Sequence, residues 1–231
     1  MIMPLYQSYL LLALHDEKGS SQTMHLELGL ATAIIAQLIY QKQIILDCAH
    51  KPTLSLEAHS DDPLIARSLD HLRQHQEPSR GWWAQFGETQ SLKGWIASLA
   101  EMKTLKQDAV TLLCDANILQ RRERSLLFVF SRTTFPERNP QPEQALLARL
   151  RDAIEGDHVL QDAEISILLA LLKATGLMQP VFGDSAERRA DRIDALIQDL
   201  PSGQAAQELI AAIEAALLVT VILPTVISTT Q

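Results

Sequence analysis

The sequence predicts a mainly α, single-domain helical bundle over residues 1–231, carrying a protruding β-hairpin and short strands. Three observations lead there. Helix breakers are scarce, with 9 Gly and 10 Pro in 231 residues where an average chain carries roughly 12% of the two together. Apolar residues recur at three- and four-residue steps over most of the length, the pattern of helix faces that bury one side. Between Ile118 and Phe130 that period gives way to aromatic and β-branched runs around a polar stretch, which favour strands. A chain this long can bury about 70–75% of its unfolded surface in one core.

Taken in order, Tyr6 to Leu14 reads as a short buried helix, and Asp16-Glu17-Lys18-Gly19 as a turn. Leu26, Leu30, Ala33, Ile34 and Leu38 mark one face of a helix from Leu26 to Tyr40. Ile44-Ile45-Leu46 and Thr53-Leu54-Ser55-Leu56 flank Lys51-Pro52 as two short strands and a turn. Asp62-Pro63 opens a helix with Ile65, Leu69 and Leu72 on one side. A loop holding Trp82, Trp83 and Phe86 precedes a helical turn around Trp95. Leu105, Ala109, Leu112, Leu113 and Ala116 then form an amphipathic stripe that stops at Asn117, a residue suited to a left-handed cap. Ile118-Leu119 and Ser125 to Phe130 read as a hairpin with Gln120 to Arg124 at its tip. Beyond Pro136, Pro140 and Pro142 come helices at Glu143–Ile154, Ala163–Leu177, Ala186–Leu200 and Ala205–Leu223. Ala163 to Leu177 is apolar nearly all round, which places Ile165 to Leu172 in the middle of the core.

With 20 Lys+Arg against 28 Asp+Glu, the formal net charge is −8, which argues against a generic nucleic-acid binder. Leu26 to Tyr40 carries no Lys or Arg, so it makes a poor DNA-recognition helix. Cys48 and Cys114 are too few for a disulfide framework and lack zinc spacing, pointing to a reducing cytoplasm. The N-terminal stretch lacks the basic start of a signal peptide. Leu209 to Ile227 contains Glu214 and Pro224, leaving too short an apolar run to span a bilayer. Glycine-rich phosphate loops and the Gly-x-Ser-x-Gly elbow are absent from the sequence. His71 and His75 stand at metal-compatible i,i+4 spacing, but without an intervening Glu and off the apolar face they read as solvated surface. No catalytic residue, metal or cofactor is expected, and the chain reads as a non-enzyme.

Three features remain as binding candidates. Lys103 and Lys106, three apart at a helix start, fit either a solvated turn or a pair of cations meeting one phosphate. Arg121, Arg122 and Arg124, with Arg132 nearby, concentrate positive charge at the hairpin, where a polar tip also needs such residues for solubility. Trp82, Trp83 and Phe86 suit a lipid interface or partner contact, with docking onto the protein's own core as the competing reading.

The order of motifs carries a resemblance. Leu10-Leu11-Leu12-Ala13-Leu14 before Asp16-Glu17-Lys18-Gly19, then Leu26-Glu27-Leu28-Gly29-Leu30-Ala31, Asp62-Pro63-Leu64, Trp95-Ile96, Leu126-Leu127-Phe128, Phe135-Pro136, Leu168-Leu169-Ala170-Leu171-Leu172 and Thr175-Gly176-Leu177 resemble the Golgi phosphoprotein 3 family from about Leu5 to Leu223. The chain is most similar to its short, prokaryotic-type members. The resemblance implies a central four-helix bundle with surrounding helices, and a hairpin over roughly Arg122 to Thr133 used for membrane contact and self-association, here through Arg121, Arg122, Arg124, Leu126 and Phe128. It implies a peripheral membrane protein that binds phosphatidylinositol 4-phosphate and grips protein tails. The family's two basic pocket residues map onto Lys103 and Lys106, while its Arg falls on Ala31 and its Trp near Gln22.

Those two departures predict weaker head-group binding, since a hydrogen bond to a charged group contributes about 1.5–3 kcal/mol. The expected function is that of a cytoplasmic protein peripheral to the membrane, binding anionic phospholipid head groups through Lys103 and Lys106. The alternative is an adaptor that forms homo-oligomers, or grips partner tails, through its hairpin. Nucleic acid is not an expected partner.

Overall fold

A computed structural model describes residues 3–14, 20–23, 25–47, 51–74, 91–126, 130–156 and 162–198. It is mostly helical, with two separate antiparallel strand pairs. The turn expected over Asp16–Gly19, the helix expected over Ala205–Leu223, the aromatic loop of Trp82, Trp83 and Phe86, and also Cys48, His75 and Phe128 lie outside the described residues, as do the side chains of Arg124, Leu126 and Arg132.

Helix α1 (Leu5–Ala13) and helix α2 (Leu26–Tyr40) form an antiparallel pair. The direction is read from their bonds: the Leu5 N–H donates to Gln37 Oε1 at 3.0 Å at one end, and the Gln22 N–H donates to the Ala13 carbonyl at 2.8 Å at the other. Apart from Gln7, every residue of α1 is buried. The pair closes tightly because residue 29 is glycine. A Cβ there would stand 2.0 Å from the Tyr9 hydroxyl oxygen, so only a bare Cα lets the Tyr9 ring lie against α2.

Strands β1 (Ile44–Leu46) and β2 (Pro52–Leu54) pair with Ile45 opposite Thr53. The second strand therefore begins at Pro52, a residue that the sequence pattern assigns to the turn. Asp62 then opens helix α3 (Pro63–Gln74) by accepting from the N–H groups of Leu64 and Ile65 at 2.9 and 3.0 Å. This side-chain cap satisfies two donors that the helix start would otherwise leave open. The other Asp62 oxygen accepts the hydroxyl of fully buried Tyr6 at 2.7 Å, joining α3 to α1. Burial, reinforced by this carboxylate, raises the Tyr6 phenol far above its ordinary value.

Helix α4 (Leu92–Ala100) packs on α2 and α3, and helix α5 (Leu105–Asp115) on α1 and α2. His71 does not behave as solvated surface, because its Nε2 lies 2.8 Å from the Ser98 hydroxyl and ties α3 to α4.

The hairpin differs from the residue-by-residue expectation and agrees with the span that the family resemblance implies. Its strands are β3 (Arg122–Leu126) and β4 (Phe130–Thr134), with Arg124 opposite Arg132 in register. Residues 121–124 accordingly sit at the base and along the first strand rather than at the tip. Ile118 and Leu119 form a separate connection, with Leu119 bridging Glu137.

Helix α6 (Gln141–Glu155) leads to helix α7 (Ala163–Ala174), in which Ile165 through Leu172 are all buried, Ser166 the one polar residue among them. The Thr23 hydroxyl donates to the Thr175 carbonyl at 3.0 Å, fixing the end of α7 beside the start of α2. The single helix expected over Ala186–Leu200 is divided. Helices α8 (Met178–Phe182) and α9 (Asp184–Arg188) meet at Gly183, whose φ of 56° allows the turn, and helix α10 (Ala190–Gln198) follows Arg189. Buried apolar residues from Leu5 to Ile197 form one contiguous cluster.

Three helix ends share one termination device. In α2, α5 and α7 the residue two past the last helical one has a positive φ: Lys42 at 59°, Asn117 at 59° and Gly176 at 71°. In each case the following N–H reaches back to the helix, from Gln43 to Leu38, Ile118 to Leu113 and Leu177 to Leu172, at 2.8, 2.9 and 2.8 Å. These are Schellman caps, which satisfy carbonyls that the helix leaves unpaired.

Candidate functional site

Helix α5 positions both groups of basic residues that stand out in the sequence, one at each end. Lys103 lies in the turn before the helix, so only Lys106 is helical; the expectation that both occupy the helix start is corrected by one turn. Lys103 is exposed and Lys106 half-buried. At 3.6 residues per turn, Lys106 projects between the directions of Leu113 and Val110, both buried. Neither lysine has a carboxylate partner among the described residues.

The helix start itself is open. Thr104 occupies the cap position but makes no side-chain bond to the helix. The Leu105 N–H is taken by the Met102 carbonyl at 3.0 Å, while those of Lys106 and Gln107 have no acceptor among the described residues. Open N–H groups and the positive end of a helix dipole together favour an anion. A third cation stands close by. Arg67 of α3 reaches the first turns of α5, with its Nη1 2.8 Å from Asp108 Oδ2. Its charge is matched by that of Asp108, the acid of the first turn of α5, so the pair joins α3 to α5 without adding net charge, a link that nothing local in the sequence announces.

At the other end of α5, Arg121 and Arg122 are exposed at the hairpin base. Arg121 pairs with Glu123 at 3.0 Å, which offsets part of its charge. Arg122 has no ion-pair partner among the described residues. Arg138, which local sequence does not single out, joins this group by donating to Asn117 Oδ1 at 2.9 Å. Burial and Asp115 raise the Cys114 thiol, and Arg121 is near enough to pull it partly back. Lys106 precedes Cys114 by eight residues, about 12 Å along the axis. The two basic groups therefore lie toward opposite ends of α5.

The remaining pocket positions supply no cation. Ala31 is fully buried within α2. Gln22 is exposed, and its side-chain amide turns back to donate to the Leu14 carbonyl at 2.9 Å. No helix among the described residues is long and apolar enough to cross a membrane.

The model of the Golgi phosphoprotein 3 family matches residues 5–215. The chain belongs to the Golgi phosphoprotein 3 family. No curated protein matches the chain. The family match takes in Gln22, Ala31, Lys103, Lys106 and the hairpin, so all of these positions lie inside the Golgi phosphoprotein 3 region.

Proposed function

We propose that this chain is a non-enzymatic, cytoplasmic, peripheral membrane protein that binds anionic lipid head groups at the start of α5. The observation that carries the reading is the pair Lys103 and Lys106, free of carboxylate partners among the described residues, at a helix start that no side chain caps. Lysine binds phosphate as a point charge without a bidentate fork. With Ala31 and Gln22 at the other pocket positions, the favoured ligand is an anionic head group of the phosphoinositide type, held less tightly than a full pocket would hold phosphatidylinositol 4-phosphate. Arg121 and Arg122 add attraction for the same surface, each basic residue near an anionic bilayer contributing about 1 kcal/mol.

Flotation with neutral and anionic liposomes tests this. Binding is expected only to anionic vesicles, to fall as salt rises, and to be lost on Lys103→Glu with Lys106→Glu. Equal flotation with neutral vesicles, or unchanged flotation of the double variant, rejects the reading.

A second reading, an adaptor that self-associates through the hairpin or grips protein tails, is favoured by β3 and β4 pairing only with each other among the described residues. Each strand thus has an outer edge open to another chain. Light scattering that finds an oligomer in the full chain and a monomer after residues 122–134 are replaced by a short turn supports it. A monomer in both rejects self-association.

A further inference from the structure

A cavity of about 210 Å³ opens between α1, α6 and α7, away from the basic clusters at the two ends of α5. Its walls are Leu5 and Ser8 of α1, Leu146 of α6, and Ile165 and Leu168 of α7, all buried. Two charged residues, Arg149 and Glu164, also line it. Their situations differ. Arg149 is committed to Asp162, with Nη2 2.7 Å from Oδ2. The other Asp162 oxygen accepts from the N–H groups of Glu164 and Ile165 at 3.2 and 3.4 Å as the cap of α7. Both of those charges are therefore satisfied. Glu164 is left as a half-buried carboxylate with no ion-pair partner among the described residues, and Arg149 is near enough only to moderate the effects of burial and Asp162 on it.

We propose that this cavity is a binding site for a small amphiphilic primary amine, whose apolar chain lies against Leu146, Ile165 and Leu168 and whose ammonium group pairs with Glu164. The sign of the head group follows from charge complementarity. The ion pair at the cavity contributes no net charge and Glu164 contributes one negative charge, so a cation is attracted and a carboxylate is repelled. Size follows from volume. An apolar cavity of about 150 Å³ takes up benzene, six heavy atoms, so one of about 210 Å³ suits about seven or eight, and n-hexylammonium has seven. This inference does not rest on the membrane reading, since it uses a different face and the opposite charge.

The test is an NMR titration of the full chain with n-hexylammonium, hexanol and hexanoate. Hexylammonium is expected to bind most tightly and to perturb resonances of Leu146, Ile165 and Leu168. Glu164→Gln is expected to weaken it about tenfold, to the level of hexanol, because a hydrogen bond to a charged group is lost. Ala145→Trp, at an exposed residue lining the cavity, is expected to block all three probes. Hexanoate binding as tightly as hexylammonium, an unchanged affinity in Glu164→Gln, or binding of no probe overturns the proposal.

Discussion

Gly29 shows how a single residue sets a helix contact. Its absent side chain is the space that the Tyr9 ring occupies: a Cβ at this position would meet the hydroxyl oxygen at 2.0 Å and the carbon bearing it at 2.2 Å. Tyr9 is fully buried, so the ring has nowhere nearby to go. Gly29→Ala is expected to destabilise the protein by about 1–3 kcal/mol, the usual cost of overpacking a core, which chemical denaturation would measure. Tyr9→Phe should not relieve the defect, because the ring carbons clash as well as the oxygen. The Leu28-Gly29-Leu30 motif is visible in the sequence as a mark of resemblance. Its physical reason is not, because the partner lies twenty residues away on another helix. Lys106 and Arg67 make the same contrast at the site: the lysine announces itself beside Lys103, whereas the arginine reaches α5 only through tertiary packing.

Helix ends separate what local sequence specifies from what packing imposes. Asn117 and Gly176 are residue types that tolerate a positive φ, and Asn117 is readable as a cap from the sequence alone. Lys42 occupies the same place at the end of α2 with a φ of 59°, a conformation that costs a residue with a Cβ about 1 kcal/mol. Lys42→Gly is therefore expected to raise the melting temperature by about 2–4 °C, measured by thermal circular dichroism. The hairpin escapes local reading for a related reason. Its first strand, Arg122–Leu126, begins with exposed Arg122 and Glu123, so no alternating apolar pattern marks where the strand starts. The apolar run from Leu126 to Phe130 instead spans the connection between strands. By contrast, Ile165 through Leu172 of α7 are buried without a break, and their place in the core follows directly from their composition.

Across the whole molecule, the total charge of −8 conceals a division along α5. Lys103 and Lys106 stand at its start and Arg121 and Arg122 beyond its end, with the 11-residue helix, about 16 Å long, between them. Sites separated by more than about 7–10 Å without shared partners act additively. Reversing Arg121 and Arg122 to Glu should therefore lower affinity for anionic liposomes by a factor that multiplies, without interaction, the factor for Lys103→Glu with Lys106→Glu. A double-mutant cycle by flotation measures it, and strong coupling would place both clusters on one head group. The helices α1 and α2 and the central place of α7 are legible from apolar periodicity. The arrangement of charge around α5 is not, because a sequence shows cations as neighbours even when a helix holds them at opposite ends. The separation has a mechanical consequence. Two contacts on a flat surface define an axis: in the membrane reading proposed above they would fix the heading of the molecule on a bilayer and leave it free to roll about the line joining them. In the membrane reading proposed above, the hairpin, whose base lies at one end of that line, is the element that would set the roll angle.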